Sequence, residues 1–229
     1  MRNTMSLFLD RNRRRLICSR HRRNLTRRRL LRIEGLESRR VLTGNPELVV
    51  SVADGTGPGT LYDMIQVANA QPGPDRITFA SEIVSMRPSA SLPWISEALV
   101  IEGANRVTLD GTGSPSNGLM INGSGVQILN LTVGNYTNGS GIFFLGASNG
   151  KVQGSRVGTD QAGSVAKPNS MGIFVHDSSN VVIGTDGDGL NDATEGNLIS
   201  GNTEHGLQIS GSTAQNNVVA GNLIGYKSG

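Results

Sequence analysis

The amino-acid sequence predicts an all-β chain whose short strands stack as a solenoid, and three interleaved series of segments predict it. The first series is Asn105-Arg106-Val107, Asn130-Leu131-Thr132, Ser155-Arg156-Val157, Asn197-Leu198-Ile199 and Asn222-Leu223-Ile224, which begin 25, 25, 42 and 25 residues apart. The second is Gly118-Leu119-Met120-Ile121, Gly141-Ile142-Phe143-Phe144, Gly172-Ile173-Phe174-Val175 and Gly206-Leu207-Gln208-Ile209. The third is Val126-Gln127-Ile128, Val152-Gln153-Gly154, Val181-Val182-Ile183 and Val218-Val219-Ala220. Three apolar strands per repeat, with Gly and Asn at the corners, cannot bury their apolar faces one repeat at a time; stacking buries them.

Composition agrees with such a fold. The 31 glycines suit tight corners, and an aromatic content of 4% requires an aliphatic core. Net charge is +3, but the charge is segregated. Residues 1–43 hold 14 Arg against Asp10, Glu34 and Glu37, a net of +11, whereas residues 44–229 hold 7 basic and 15 acidic side chains, a net of −8. Cys18 is the single cysteine, so residues 44–229 carry neither a disulfide nor a Cys-based metal site. No stretch approaches the ~20 apolar residues that span a bilayer.

Taken in order, residues 1–43 form a basic leader, expected to be disordered on its own because like charges dominate and little is apolar. Dense Arg can neutralise phosphates, but the acidic body and the lack of a nucleic-acid-binding motif argue against nucleic acid as a partner. A leader without a role is the second reading. The third comes from Leu36-Glu37, Arg39 and Leu42 in the run Arg27 to Leu42, which resembles the LEPR-xLL leader of large planctomycete surface proteins, with Ser38 and Val41 departing from it. That resemblance implies export to the cell surface.

Residues 44–104 read as an N-terminal cap. Leu48 to Val52 is β-rich, and Thr60-Leu61-Tyr62-Asp63 starts a short helix whose apolar stripe is Leu61, Met64, Ile65 and Ala68. Gln71-Pro72-Gly73-Pro74 ends it, and Arg76 to Ala80 and Ala98 to Ile101 read as strands. An open solenoid end exposes unpaired backbone, so a strand and a helix suit a cover. The stretch from Asp54 to Ala80 is also similar to the N-terminal segment of secreted bacterial β-helix proteins of the CSLREA type.

Residues 105–229 carry the repeats. Asn105, Asn130, Asn197 and Asn222 are expected at one corner with their amides stacked. Two insertions, 158–169 and 184–196, lengthen one repeat, and insertions in a solenoid become surface loops, often on the working face. The stretch from Gly158 to Gly225 closely resembles repeats of pectin-lyase-like proteins, a resemblance that covers about 105–229 and implies a right-handed parallel β-helix. The array is expected to be truncated at Gly229: either more repeats follow, or a partner covers the last one.

Candidate chemistry is concentrated in Gly184 to Glu195. Read as a calcium loop, Asp186, Asp188, the Leu190 carbonyl, Asp192 and Glu195 supply oxygen ligands around Gly189, although Gly184 occupies the first ligand position. No catalytic residue is assigned. Glu204-His205-Gly206 lacks the paired carboxylates of glycoside hydrolysis. His176 and His205 are expected about 16 Å apart along their strands, too far to share an ion. Arg106 and Arg156, followed by Asp110 and Asp160, form either a solvated charged stripe or a lyase-like set. The sequence therefore points to a secreted or cell-surface protein with a structural or adhesive role that holds polysaccharide or cell-envelope components along one face. The alternative is a polysaccharide lyase or glycoside hydrolase.

Overall fold

The structure is a computed structural model that describes residues 47–225 except Pro115. All of these lie in the second of the two units into which the chain divides, Gly44–Gly229. The basic leader and its LEPR-xLL-like motif lie outside the described residues. The chain is predominantly β with parallel sheets, 7% is helical, and no described helix is long and apolar enough to cross a membrane.

Chain order begins with β1 (Glu47–Val50), α1 (Leu61–Asn69), β2 (Asp75–Phe79), β3 (Ser85–Met86), β4 (Leu99–Glu102) and β5 (Thr108–Asp110). It continues through β6 (Leu119–Ile121), β7 (Gln127–Leu129), β8 (Thr132–Gly134), β9 (Ser140–Leu145), β10 (Lys151–Gln153) and β11 (Arg156–Val157). It ends with β12 (Met171–His176), β13 (Val182–Gly184), α2 (Asp192–Glu195), β14 (Leu198–Ile199), β15 (His205–Ser210), β16 (Val218–Ala220) and β17 (Leu223–Ile224). The strands fall into three sheets: β1-β2-β4-β7-β10-β13-β16, then β17-β14-β11-β8-β5-β3, then β15-β12-β9-β6. Every pairing between these strands is parallel, and each strand meets its counterpart from the next repeat.

Register makes the core. In the seven-stranded sheet Leu48, Ile77, Ile101, Ile128, Val152, Ile183 and Val219 stand opposite one another in one column. Five of them, from Ile77 to Ile183, are fully buried. Met86, Leu109, Val133, Val157, Ile199 and Ile224 form the matching column of the six-stranded sheet. The period of two along each strand sends these β-branched and aliphatic side chains inward and their neighbours outward. In the last described strands the same columns come to the surface, with Val219 40% and Ile224 48% exposed.

Residues 44–104 do supply a helix and strands where the sequence places them. Thr60 caps α1 by accepting from the Asp63 N–H at 3.3 Å, and the Asp63 carboxylate accepts from the Gly59 N–H at 3.0 Å. Leu61, Ile65 and Ala68 turn inward. Pairing begins earlier than position 105, however. Asp75 pairs with Leu99, Ser85 with Thr108, and Ile95 bridges to Ile121, so residues 75–98 already take the three-sheet pattern of the later repeats.

Two of the three expected registers shift. The series led by Gly118, Gly141, Gly172 and Gly206 holds as read: Leu119, Ile142, Ile173 and Leu207 are opposite one another. In the third series Ile128 faces Val152, so Val126 matches Gly150 and the expected alignment is off by two. In the first, Thr132 faces Arg156, so Leu131 and not Asn130 matches Ser155. The Asn corner splits accordingly. Asn105 and Asn130 take left-handed backbone with φ of 55° and 54°, and their amides meet at 3.3 Å. Asn197 points inward instead, donating to the Asn222 side-chain oxygen at 2.9 Å and the Val152 carbonyl at 2.8 Å.

Candidate functional site

The outward column of the six-stranded sheet runs Ser85, Thr108, Thr132, Arg156, Leu198 and Leu223. Both insertions reach this face. The first, 158–169, doubles back through an antiparallel bridge between Thr159 and Ala166, with the Asp160 carboxylate accepting from the N–H groups of Ser164 (2.8 Å) and Val165 (3.1 Å). Its turn at Gly163 has a φ of 76°, a left-handed backbone that favours glycine. The second insertion carries α2.

Between the two insertions lies a groove of about 660 Å³. Arg156, Leu198 and Leu223 line it together with Ala162 of the first insertion and Ala193 and Thr194 of the second. Asn105, Ser155 and Asn197 also border it, and no carboxylate does. Arg156 donates to the Asn105 side-chain oxygen at 3.4 Å, and Gln161 donates to the Asn105 carbonyl. A smaller hollow of about 200 Å³ adjoins it through Gly154 and Thr194 and reaches Asn191 and Glu195.

The acidic loop gathers as the sequence suggests. One carboxylate oxygen from each of Asp186, Asp188, Asp192 and Glu195 lies within 4.8 Å of the others, a cluster that could hold a metal ion. The loop is drawn together by its own backbone: Asp186 accepts from the Asp188 N–H at 3.3 Å, Asp188 from the Leu190 N–H at 2.7 Å, and Asp192 from the Gly189 N–H at 3.2 Å. Glu195 accepts from the Asp186 N–H at 3.2 Å, and Asn191 turns the chain with a φ of 64° before α2. The Leu190 side chain is exposed, so its part in the loop is confined to its backbone. Lys151, 2.6 Å from Asp186, is a feature the sequence did not reveal, since the two are far apart in the chain. Its ammonium holds the Asp186 carboxyl below the usual carboxylate range.

The other candidates take structural positions. Arg106 does not stack with Arg156; its guanidinium donates to the carbonyls of Phe79, Ala80 and Ile83 and closes the turn after β2. Asp110 and Asp160 line one cavity of about 190 Å³ with Lys167, but neither carboxylate is free. Burial opposes ionisation of Asp110, yet hydrogen bonds from Thr112 (2.6 Å), Asn135 (2.8 Å) and Arg87 (2.7 Å) outweigh it and hold the carboxyl well below the usual range. The backbone N–H of Val165 does the same for Asp160. Met171 faces His205 and His176 faces Ser210, so the two histidines stand five positions apart along neighbouring strands.

Two arrangements were hidden in the sequence. Phe143 and Phe174 stack at 5.1 Å on the outer face of the four-stranded sheet, with Trp94 beyond one and His176 beyond the other. Their planes differ by 15°, so the rings turn their faces to each other, a cross-strand ladder. Inside, Asn169 is fully buried, accepting from the Tyr136 N–H at 3.0 Å and donating to Asn202 at 3.0 Å. No protein-family model matches the chain, and no curated protein matches it.

Proposed function

We propose that the chain is a right-handed parallel β-helix of a secreted or cell-surface protein, and that it holds a polysaccharide in the groove over its six-stranded sheet. The observation that carries this reading is the groove: two insertions separate in sequence wall one shared concavity, and its sides offer the Asn105 amide, the Thr194 hydroxyl and the Arg156 guanidinium. Parallel strands that pair repeat on repeat in three sheets support the β-helix. A structural or adhesive role fits better than glycoside hydrolysis, which needs two carboxylates across the scissile bond, because the groove has none. A lyase is the second reading, since the groove holds an arginine and the acidic loop lends Ala193 and Thr194 to its side.

Full-length protein run on columns of neutral and acidic glycans, and assayed for reducing ends and unsaturated products, separates these readings. Retention without product is expected. Product formation lost in Arg156→Gln would replace binding by lyase chemistry, and neither retention nor product would remove the reading.

The acidic loop is proposed to bind Ca²⁺ through Asp186, Asp188, Asp192, Glu195 and the Leu190 carbonyl. Hard oxygen donors around a glycine turn suit that ion, and four carboxylates brought together repel one another until a cation arrives. Lys151 competes for Asp186. Calorimetry should therefore show millimolar-range binding that tightens roughly two- to fivefold in Lys151→Met. No heat in either protein would dismiss the site.

A further inference from the structure

Among the described residues, four of the six Lys and Arg side chains have close partners, and of the other two only Arg156 lines a cavity without a carboxylate. Arg76 pairs with Glu102 at 3.3 Å, Arg87 with Asp110 at 2.7 Å and Lys151 with Asp186 at 2.6 Å. Arg106 is spent on backbone carbonyls, and Lys167 shares its cavity with Asp110 and Asp160. Among the described residues Arg156 has no carboxylate within 4.0 Å and none in its groove, and its side chain bonds to Asn105 at a long 3.4 Å. Its position is fixed by the fold: Val157, the next residue, is fully buried in the core column, which sends Arg156 outward, with Thr132 opposite on one side and Leu198 on the other.

In a body of net charge −8, a half-buried guanidinium whose groove holds no carboxylate among the described residues is open to an anion. Only one of its five donors is engaged, and a planar guanidinium presents the rest as a fork matched to two oxygens of an oxyanion. We propose that Arg156 makes the groove selective for an anionic sugar, pairing with a carboxylate or sulfate carried by the glycan. This rests on the glycan-binding reading above and names its ligand class. The groove volume of about 660 Å³ suits a segment of a few sugar rings, within the roughly 300–1,000 Å³ of small-ligand sites. Asn105 keeps one amide N–H and Thr194 the acceptor side of its hydroxyl for the uncharged hydroxyls beside the anion, whereas Ser155 is buried with its hydroxyl bonded to Gln153 and Leu131. Nucleic acid is the weaker occupant, because tight phosphate-backbone binding draws on several cations and this groove has one.

The test uses the full chain, where the basic leader contributes equally to every variant. A glucuronate trimer, its fully methyl-esterified form, a sulfated disaccharide and a hexanucleotide are titrated into wild type, Arg156→Gln and Arg156→Lys. The readout is ¹H–¹⁵N shifts of groove residues and of the Arg156 side-chain Nε–H, which is assigned by its loss in Arg156→Gln. The glucuronate trimer is expected to bind about tenfold more tightly than its methyl ester, as one charge-assisted contact supplies. That preference falls to about unity in Arg156→Gln and is partly kept in Arg156→Lys. Comparison of the carboxylated and sulfated probes shows which anion the fork prefers, and a preference for either over the ester supports the proposal. Equal groove shifts from trimer and ester would overturn it while leaving the glycan reading intact. No groove shift from any sugar would overturn both, and stronger groove shifts from the hexanucleotide would overturn it in favour of nucleic acid.

Discussion

Asn169 and Tyr136 touch in the interior and show opposite solutions to burying a polar group. Asn169 accepts from the Tyr136 N–H and donates to the Val133 carbonyl and the Asn202 side chain, so no exposure to water is required. The Tyr136 ring is 2% exposed and fills space that Gly111 and Gly118 leave open, but its hydroxyl has no partner. Burial raises its pKa, keeping it protonated. Asn169→Ala strands the buried Tyr136 N–H, while the Val133 carbonyl keeps its bond from the Gly158 N–H, and is expected to cost about 2 kcal/mol in denaturant unfolding. Tyr136→Phe removes an unsatisfied group and is expected to stabilise by about 1 kcal/mol. A destabilised Tyr136→Phe would mean that the hydroxyl is bonded. Residue type was legible here only in part: the sequence shows many asparagines, but which ones turn inward depends on register, and Asn169 lies inside an insertion.

Strand register decides what each element contributes. Glycine ahead of an alternating run fixed the four-stranded sheet correctly, because a Cβ at Gly172 would run into the Gly206 carbonyl oxygen and no neighbouring position tolerates that approach. The seven-stranded sheet offered no such marker. Val152 and Val181 look equivalent, yet Val152 matches Ile183, a slip of two that keeps the inner face and changes which residues meet. Columns also predict energetics. Ile199 and Ile224 are successive members of one column, with Ile199 fully buried and Ile224 48% exposed. Ile199→Ala is expected to cost about 3 kcal/mol and Ile224→Ala less than about 1 kcal/mol by chemical denaturation. Equal costs would show that another segment covers β17.

Across the molecule, the repeat brings together what the chain separates. The parallel, predominantly β character was legible because each repeat carries its strands at similar spacing, and the acidic cluster because its carboxylates lie within ten residues of one another. The groove was not, since its walls come from two insertions and its arginine from a strand between them; only pairing of β11 with β14 sets Arg156 beside Leu198. The expectation that insertions mark the working face gave its general location. Hydrogen–deuterium exchange of the full chain, with and without the glucuronate trimer and its methyl ester, tests the central claim most directly. The account predicts ligand-dependent protection confined to residues 154–163 and 191–198. Protection on the aromatic ladder of the four-stranded sheet, or none with either sugar, would contradict it.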